Sequence, residues 1–123
     1  MPRKDLRPEP FHTMVALGES HVAGACATEE RRRWVNIVAE LISEFQGVPV
    51  ILHNKGIGAN AISPRSPGYA SSAKPSALER YREDVIALEP DLFILSYGLN
   101  DMRAGMPPEL YGQGMPCPYS ART

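Results

Sequence analysis

Phe11 to Ser20, FHTMVALGES, decides how the chain is read. The apolar run through Met14, Val15, Ala16 and Leu17 reads as a buried strand, and Gly18 followed at once by polar residues marks where it leaves the sheet. A serine there stands at the carboxyl end of a strand. In open parallel sheets the loops leaving that end diverge and open a crevice in which ligands bind. Ser20 is therefore the candidate nucleophile, and the competing reading is a turn or cap residue.

The order of elements after Ser20 supports a parallel sheet. Thr28 ahead of Glu29 and Glu30 suits a helix start, and Trp34, Ile37, Val38, Leu41, Ile42 and Phe45 recur at spacings of three and four. The expected helix spans Glu29 to Gln46, and Gly47 supplies a left-handed stop. Val48 to Leu52 is a short, uniformly apolar run expected to form a second strand ending in His53, Asn54 and Lys55. Gly56 to Pro75 is rich in glycine, serine and proline, and no regular element is expected there. A loop of that length leaving a strand's carboxyl end favours a functional role. Ser76 and Glu79 have capping-box spacing, and a helix is expected from Ala77 to about Leu88, stopped by Pro90. Asp91 to Tyr97, DLFILSY, is the third strand. Strand, helix, strand, helix, strand is the pattern of parallel strands joined by right-handed crossovers.

Composition bounds what such a chain does. At 123 residues, 43% hydrophobic and 22% charged, it has the make-up of one globular domain and not of a disordered segment. A formal net charge of −1 with no basic stripe argues against a nucleic-acid partner and against an anionic membrane surface. Arg31 to Arg33 reads as a solvated helix face. Cys26 and Cys117 are too few for a disulfide framework and lack metal-ligand spacing, so free thiols and no metal are expected. No apolar segment after MPRKDLRPEP is long enough for a signal peptide or a membrane span, so the expected location is the cytoplasm.

Three strand-end segments carry related signals: Gly18-Glu19-Ser20, Asn54-Lys55-Gly56-Ile57-Gly58-Ala59-Asn60, and Tyr97-Gly98-Leu99-Asn100-Asp101. In that order they resemble the first three sequence blocks of the SGNH (GDSL-type) hydrolases, over most of residues 11 to 106. The resemblance implies a flavodoxin-like three-layer α/β/α fold with a parallel sheet, here with only its first three strands, in the order 2-1-3, which sets strands one and three side by side. It also implies a serine esterase or acylhydrolase acting on a small-molecule ester through an acyl-enzyme, with no cofactor. Carried over residue by residue, Ser20 matches the nucleophile, its own N–H joins the oxyanion hole, and Asn100 matches the side-chain amide donor. The family's glycine donor falls on Ala59, which can serve if the backbone there needs no positive φ; Gly58 is the alternative, and Asp101 a supporting residue.

The departures from the family matter as much. The first block reads Gly-Glu-Ser where Gly-Asp-Ser is usual. The family's Asp-x-x-His block has no counterpart, because no histidine follows His53, and His12, His21 and His53 are better explained as structural or solvent-facing. The chain alone is therefore expected to be inactive, with the activity belonging to an intact parent. Residues 1–10 are expected to be an irregular arm, 11–111 the partial hydrolase domain, and 112–123 an irregular, aberrant tail broken by Gly112, Gly114, Pro116 and Pro118. Strand three, left as an unprotected apolar edge, is expected to drive self-association. Two rival classes stand beside this reading. One is a noncatalytic fragment or binding module of the same fold. The other is a nucleotide-binding domain suggested by Gly56-x-Gly58-x-x-Ala61, which would need a helix that Ile62 to Pro67 cannot form.

Overall fold

A computed structural model describes residues 9–114. Residues 1–8 of the expected arm and 115–123 of the expected tail lie outside the described residues. Three strands, β1 (Thr13–Gly18), β2 (Ile51–Gly56) and β3 (Leu92–Ser96), form one all-parallel sheet in the order β2-β1-β3. Central β1 is the apolar run quoted above. Its Met14, Val15, Ala16 and Leu17 are wholly buried because strands flank both of its edges and helices cover both of its faces.

The period of two divides the core. Val15 and Leu17 point to one face, where they pack with Ala77, Tyr81 and Val85 around helix α4 (Ala77–Asp84) and with Ile62 and Met106. Ala16 points to the other face and meets Val22 of the single-turn helix α1 (Ser20–Ala23) and Val35 of α2 (Trp34–Gln46). The result is the expected three-layer α/β/α arrangement. Short helices α3 (Tyr69–Ser72) and α5 (Leu99–Arg103) lie in the loops, and α6 (Pro108–Gly114) closes the described chain.

Several boundaries differ from the sequence expectation, each for a local reason. The helix expected from Glu29 begins at Trp34: a 3-10 turn at Glu30–Arg32 is followed by Arg33 in extended geometry. The Arg33 stem lies over Gly24, so close that a Cβ on Gly24 would sit 2.3 Å from its Cγ. Trp34 donates its indole N–H to the His21 carbonyl at 2.7 Å, which fixes where α2 starts. Gly47 ends α2 in left-handed geometry, as its position suggests.

The second strand starts three residues later than expected and runs to Gly56. Ser43 Oγ accepts the Val50 N–H at 3.0 Å, and the Gln46 amide donates to the Val48 and Phe11 carbonyls at 2.7 Å each. Residues 48–50 are thus tied to the end of α2, and pairing starts at Ile51. The capping box at Ser76 and Glu79 forms as expected, with Ser76 N–H donating to Glu79 Oε2 at 2.7 Å. Its helix stops at Asp84, however, because Val85 leaves helical geometry before a 3-10 turn at Ile86–Leu88. The loop expected to lack regular structure contains α3, and α6 runs past Tyr111 to Gly114.

The burial of α2 also departs from the apolar stripe. Val35 and Ala39, one turn apart, face the sheet, whereas Ile37, Leu41 and Phe45 are exposed, Phe45 to 73%. Apolar residues occupy more of this helix's circumference than one sheet face can cover.

Candidate active site

The site is built where the strands end. Gly18 closes β1, Glu19 is extended, and Ser20 opens α1, which Gly24 ends in left-handed geometry. Two glycines let α1 lie flat on the sheet. A Cβ on Gly18 would come within 2.3 Å of Val22 Cγ2, and one on Gly56 within 2.2 Å of the Ala23 nitrogen. Asn54, expected just past a strand and found inside β2, donates its side-chain amide to the Val22 carbonyl at 2.7 Å. Ser20 is thereby held, half-buried, at the carboxyl edge of β1.

Hydrogen bonds stitch the three strand-end loops together in pairs. Ile57 N–H donates to the Gly18 carbonyl at 3.0 Å, joining the second loop to the first. Glu19 turns inward, 2% exposed, and accepts the Asn100 backbone N–H at 3.4 Å, joining the first to the third. Burial pushes the Glu19 carboxyl above its ordinary pKa, against the pull of the Asn100 N–H and His21. The Asn100 side-chain amide donates to the Asn60 carbonyl at 3.2 Å, joining the third to the second. That bond uses one of two amide hydrogens and leaves the other for a ligand. Asp101, also 2% exposed, adds to the last junction: its Oδ1 accepts the Ile62 N–H at 3.2 Å and the Ser66 hydroxyl at 2.5 Å. Asp101 is placed as a tie between loops.

Ala59 sits in left-handed geometry, φ 58°. The condition on which alanine could replace the family's glycine without strain is not met, and an L-residue there carries a cost of about 1 kcal/mol. The residue is nevertheless exposed, and its N–H has no hydrogen-bond partner among the described residues. Neighbouring Gly58 has open space around it, and its carbonyl accepts Lys74 Nζ at 2.8 Å.

No hydrogen bond joins the Ser20 hydroxyl to a histidine among the described residues. His21 follows Ser20 and is exposed, and His53 lies within β2. The dinucleotide reading fails on geometry, since Gly56 is spent on contact with α1 and residues 62–67 form bends and turns with no helix. Sequence reading passed over Asn60, wholly buried, and Arg80, 8% exposed on α4, whose guanidinium lies beneath these loops. The polar character of both suggested solvent. The signal available was position: Asn60 closes the second block, and Arg80 falls on the face of α4 that also carries Ala77 and Tyr81.

Comparison with known proteins bears on the family and the fold. The sequence model described as "GDSL-like Lipase/Acylhydrolase family" matches residues 16–115. No curated protein sequence matches the chain. Among solved structures, AlinE4, an SGNH-hydrolase family esterase, superposes with a TM-score of 0.66 at 18% identity, covering 88% of this chain and 50% of that one. The psychrotrophic esterase EstA from Pseudoalteromonas sp. gives 0.62 at 19%, covering 84% and 49%. A catalytic mutant of Axe2, an acetylxylan esterase from Geobacillus stearothermophilus, gives 0.60 at 19%, covering 84% and 50%. At these identities the likeness is one of fold, and the chain spans about half the length of the esterases it matches.

Proposed function

The chain belongs to the GDSL-like lipase/acylhydrolase family, and from that premise we propose that it carries the nucleophile half of a serine-dependent carboxylic-ester hydrolase. The observation that supports this most is the pairwise stitching of the Ser20, Ala59 and Asn100 loops at one end of the sheet. In the reaction, Ser20 Oγ attacks the ester carbonyl and its proton passes to a base. The carbonyl oxygen, now negative, meets the N–H groups of Ser20 and Ala59 and the Asn100 amide. The tetrahedral species expels the alcohol and leaves an acyl group on Ser20, which water then removes. Donors already fixed by the fold cost no reorganisation at the moment charge develops. None of His12, His21 and His53 is hydrogen-bonded to the Ser20 hydroxyl, so the proposal gives none of them the part of the base.

A small diffusible base can take that part in a test. We expect the chain to hydrolyse p-nitrophenyl acetate in imidazole buffer faster than imidazole alone does. Ser20→Ala should fall to the buffer rate while keeping its far-UV circular dichroism. A folded Ser20→Ala variant as fast as its parent would remove the nucleophile. The bare Ser20 hydroxyl favours one second reading, a noncatalytic module that binds an acyl or sugar group. A parent no faster than the buffer would support it.

A further inference from the structure

Arg80 is the most heavily engaged cation among the described residues. An arginine on an amphipathic helix ordinarily snorkels its charge to water, and an i,i+4 partner such as Asp84, at 2.9 Å, would satisfy it there. Arg80 makes that pair but is not confined to it. Its guanidinium is drawn under the sheet's carboxyl edge, where it donates to the Gly18 carbonyl at 3.1 Å, the Lys55 carbonyl at 2.7 Å and the Tyr97 hydroxyl at 2.7 Å. Those groups end β1, nearly end β2, and directly follow β3. Nε and Nη2 also converge on Asn60 Oδ1, at 3.4 and 3.1 Å. The Tyr97 hydroxyl, having accepted from Arg80, donates to that same oxygen at 2.5 Å.

Asn60 is therefore clamped at both ends of its side chain, because its amide nitrogen donates to the Pro75 carbonyl at 2.7 Å. Its backbone carbonyl is the acceptor that holds the Asn100 amide. We infer that Arg80 is a positioning residue of the candidate active site, fixing Asn60 and, through the Asn60 carbonyl, the direction in which Asn100 donates. The catalytic part of this inference rests on the function proposed above; the geometric part does not. Only a planar fork of five N–H groups spans these acceptors. Lysine offers one compact ammonium and cannot reach both the strand ends and Asn60.

The test uses the full chain and two readouts. In Arg80→Lys, the side-chain amide 15N–1H resonances of Asn60 and Asn100 should both move, whereas Asp84→Asn, which alters only the half-buried carboxylate on the helix's own side of the network, should leave them in place. Phosphonylation of Ser20 in imidazole buffer should slow about tenfold or more in Arg80→Lys. Once Asn100→Ala is present, the same change should add less than about twofold, because both substitutions break one chain of contacts. Unmoved amide resonances in a folded Arg80→Lys variant, or equal slowing with and without the Asn100 side chain, would overturn the inference. Should Arg80→Lys not fold, Tyr97→Phe removes one link of the clamp, and an unshifted Asn60 amide there overturns it equally. If Ser20→Ala labels as its parent does, the proposed function fails, and the amide resonances still decide the role of Arg80.

Discussion

Replacing Gly56 by alanine tests whether α1, and with it Ser20, is seated by close backbone contact. The new Cβ would lie 2.2 Å from the Ala23 nitrogen and 2.7 Å from both Ala23 Cα and the Val22 carbonyl carbon. Comfortable separations begin near 3.5 Å, so α1 must retreat by about 1 Å. It has little room to do so, since Val22 is wholly buried, Asn54 holds its carbonyl, and Trp34 holds the carbonyl of His21. Overpacking of this kind costs about 1–3 kcal/mol, and a backbone obstacle puts the cost at the upper end. The reduced freedom of the unfolded alanine chain returns less than about 1 kcal/mol, so destabilisation wins. Gly58, with nothing within 4 Å of its Cβ position and no positive φ, is the matched control. Urea unfolding followed by the single tryptophan, which sits against α1, should show a loss of about 2–3 kcal/mol for Gly56→Ala and a change within about 0.5 kcal/mol for Gly58→Ala. A loss under about 1 kcal/mol for Gly56→Ala, or equal losses for both, would refute the reasoning.

Glu19 gives a pH test. Burial raises its carboxyl above the ordinary 4.5, so its contribution to stability is full below that value and is lost as pH rises through the folded pKa. Glu19→Gln should gain stability over its parent at pH 7 and not at pH 4, and a variant equally weakened at both would contradict this. Asp91 behaves oppositely: burial raises its pKa, but N–H groups of His12, Thr13 and Asp91 itself outweigh it and the net shift is downward. Asp91→Ala should cost about 1 kcal/mol at pH 7 by freeing the start of β1, a loss that shrinks as pH falls below the ordinary 3.8. Unfolding midpoints in acid and at neutrality check it, and a pH-independent loss would count against the carboxylate. The apolar β3 edge and the exposed Leu41 and Phe45 of α2 lead us to expect self-association, visible as concentration-dependent sedimentation. A single monomeric species at about 100 µM would refute that.

What the sequence shows of this fold is what depends on local pattern. The apolar runs through Val15 and Ile94 mark strands, Gly47 marks a helix end, and the Ser76–Glu79 spacing marks a helix start; each acts through its immediate neighbours. What escapes is decided by partners far along the chain. Pairing of β2 begins at Ile51 because Ser43 and Gln46 claim the residues before it, which no window around Val48 displays. Arg33 breaks a good helical pattern because its stem is needed over Gly24. The left-handed backbone at Ala59 violates the residue preference that would have announced it. Arg80, Asn60 and Glu19 are polar residues turned inward, and polarity in a sequence points outward until the three strand ends that receive them are assembled.

The central claim is that Ser20 is a nucleophile facing donors that include Asn100, and one measurement bears on it directly. The chain is treated with a fluorophosphonate in imidazole buffer, digested, and the adduct located by mass spectrometry, in the parent, Ser20→Ala and Asn100→Ala. The account predicts one adduct, on Ser20, absent in Ser20→Ala and formed about a hundredfold to a thousandfold more slowly in Asn100→Ala. An unlabelled Ser20 in the parent, an adduct that persists in Ser20→Ala, or a rate in Asn100→Ala within about threefold of the parent would contradict it.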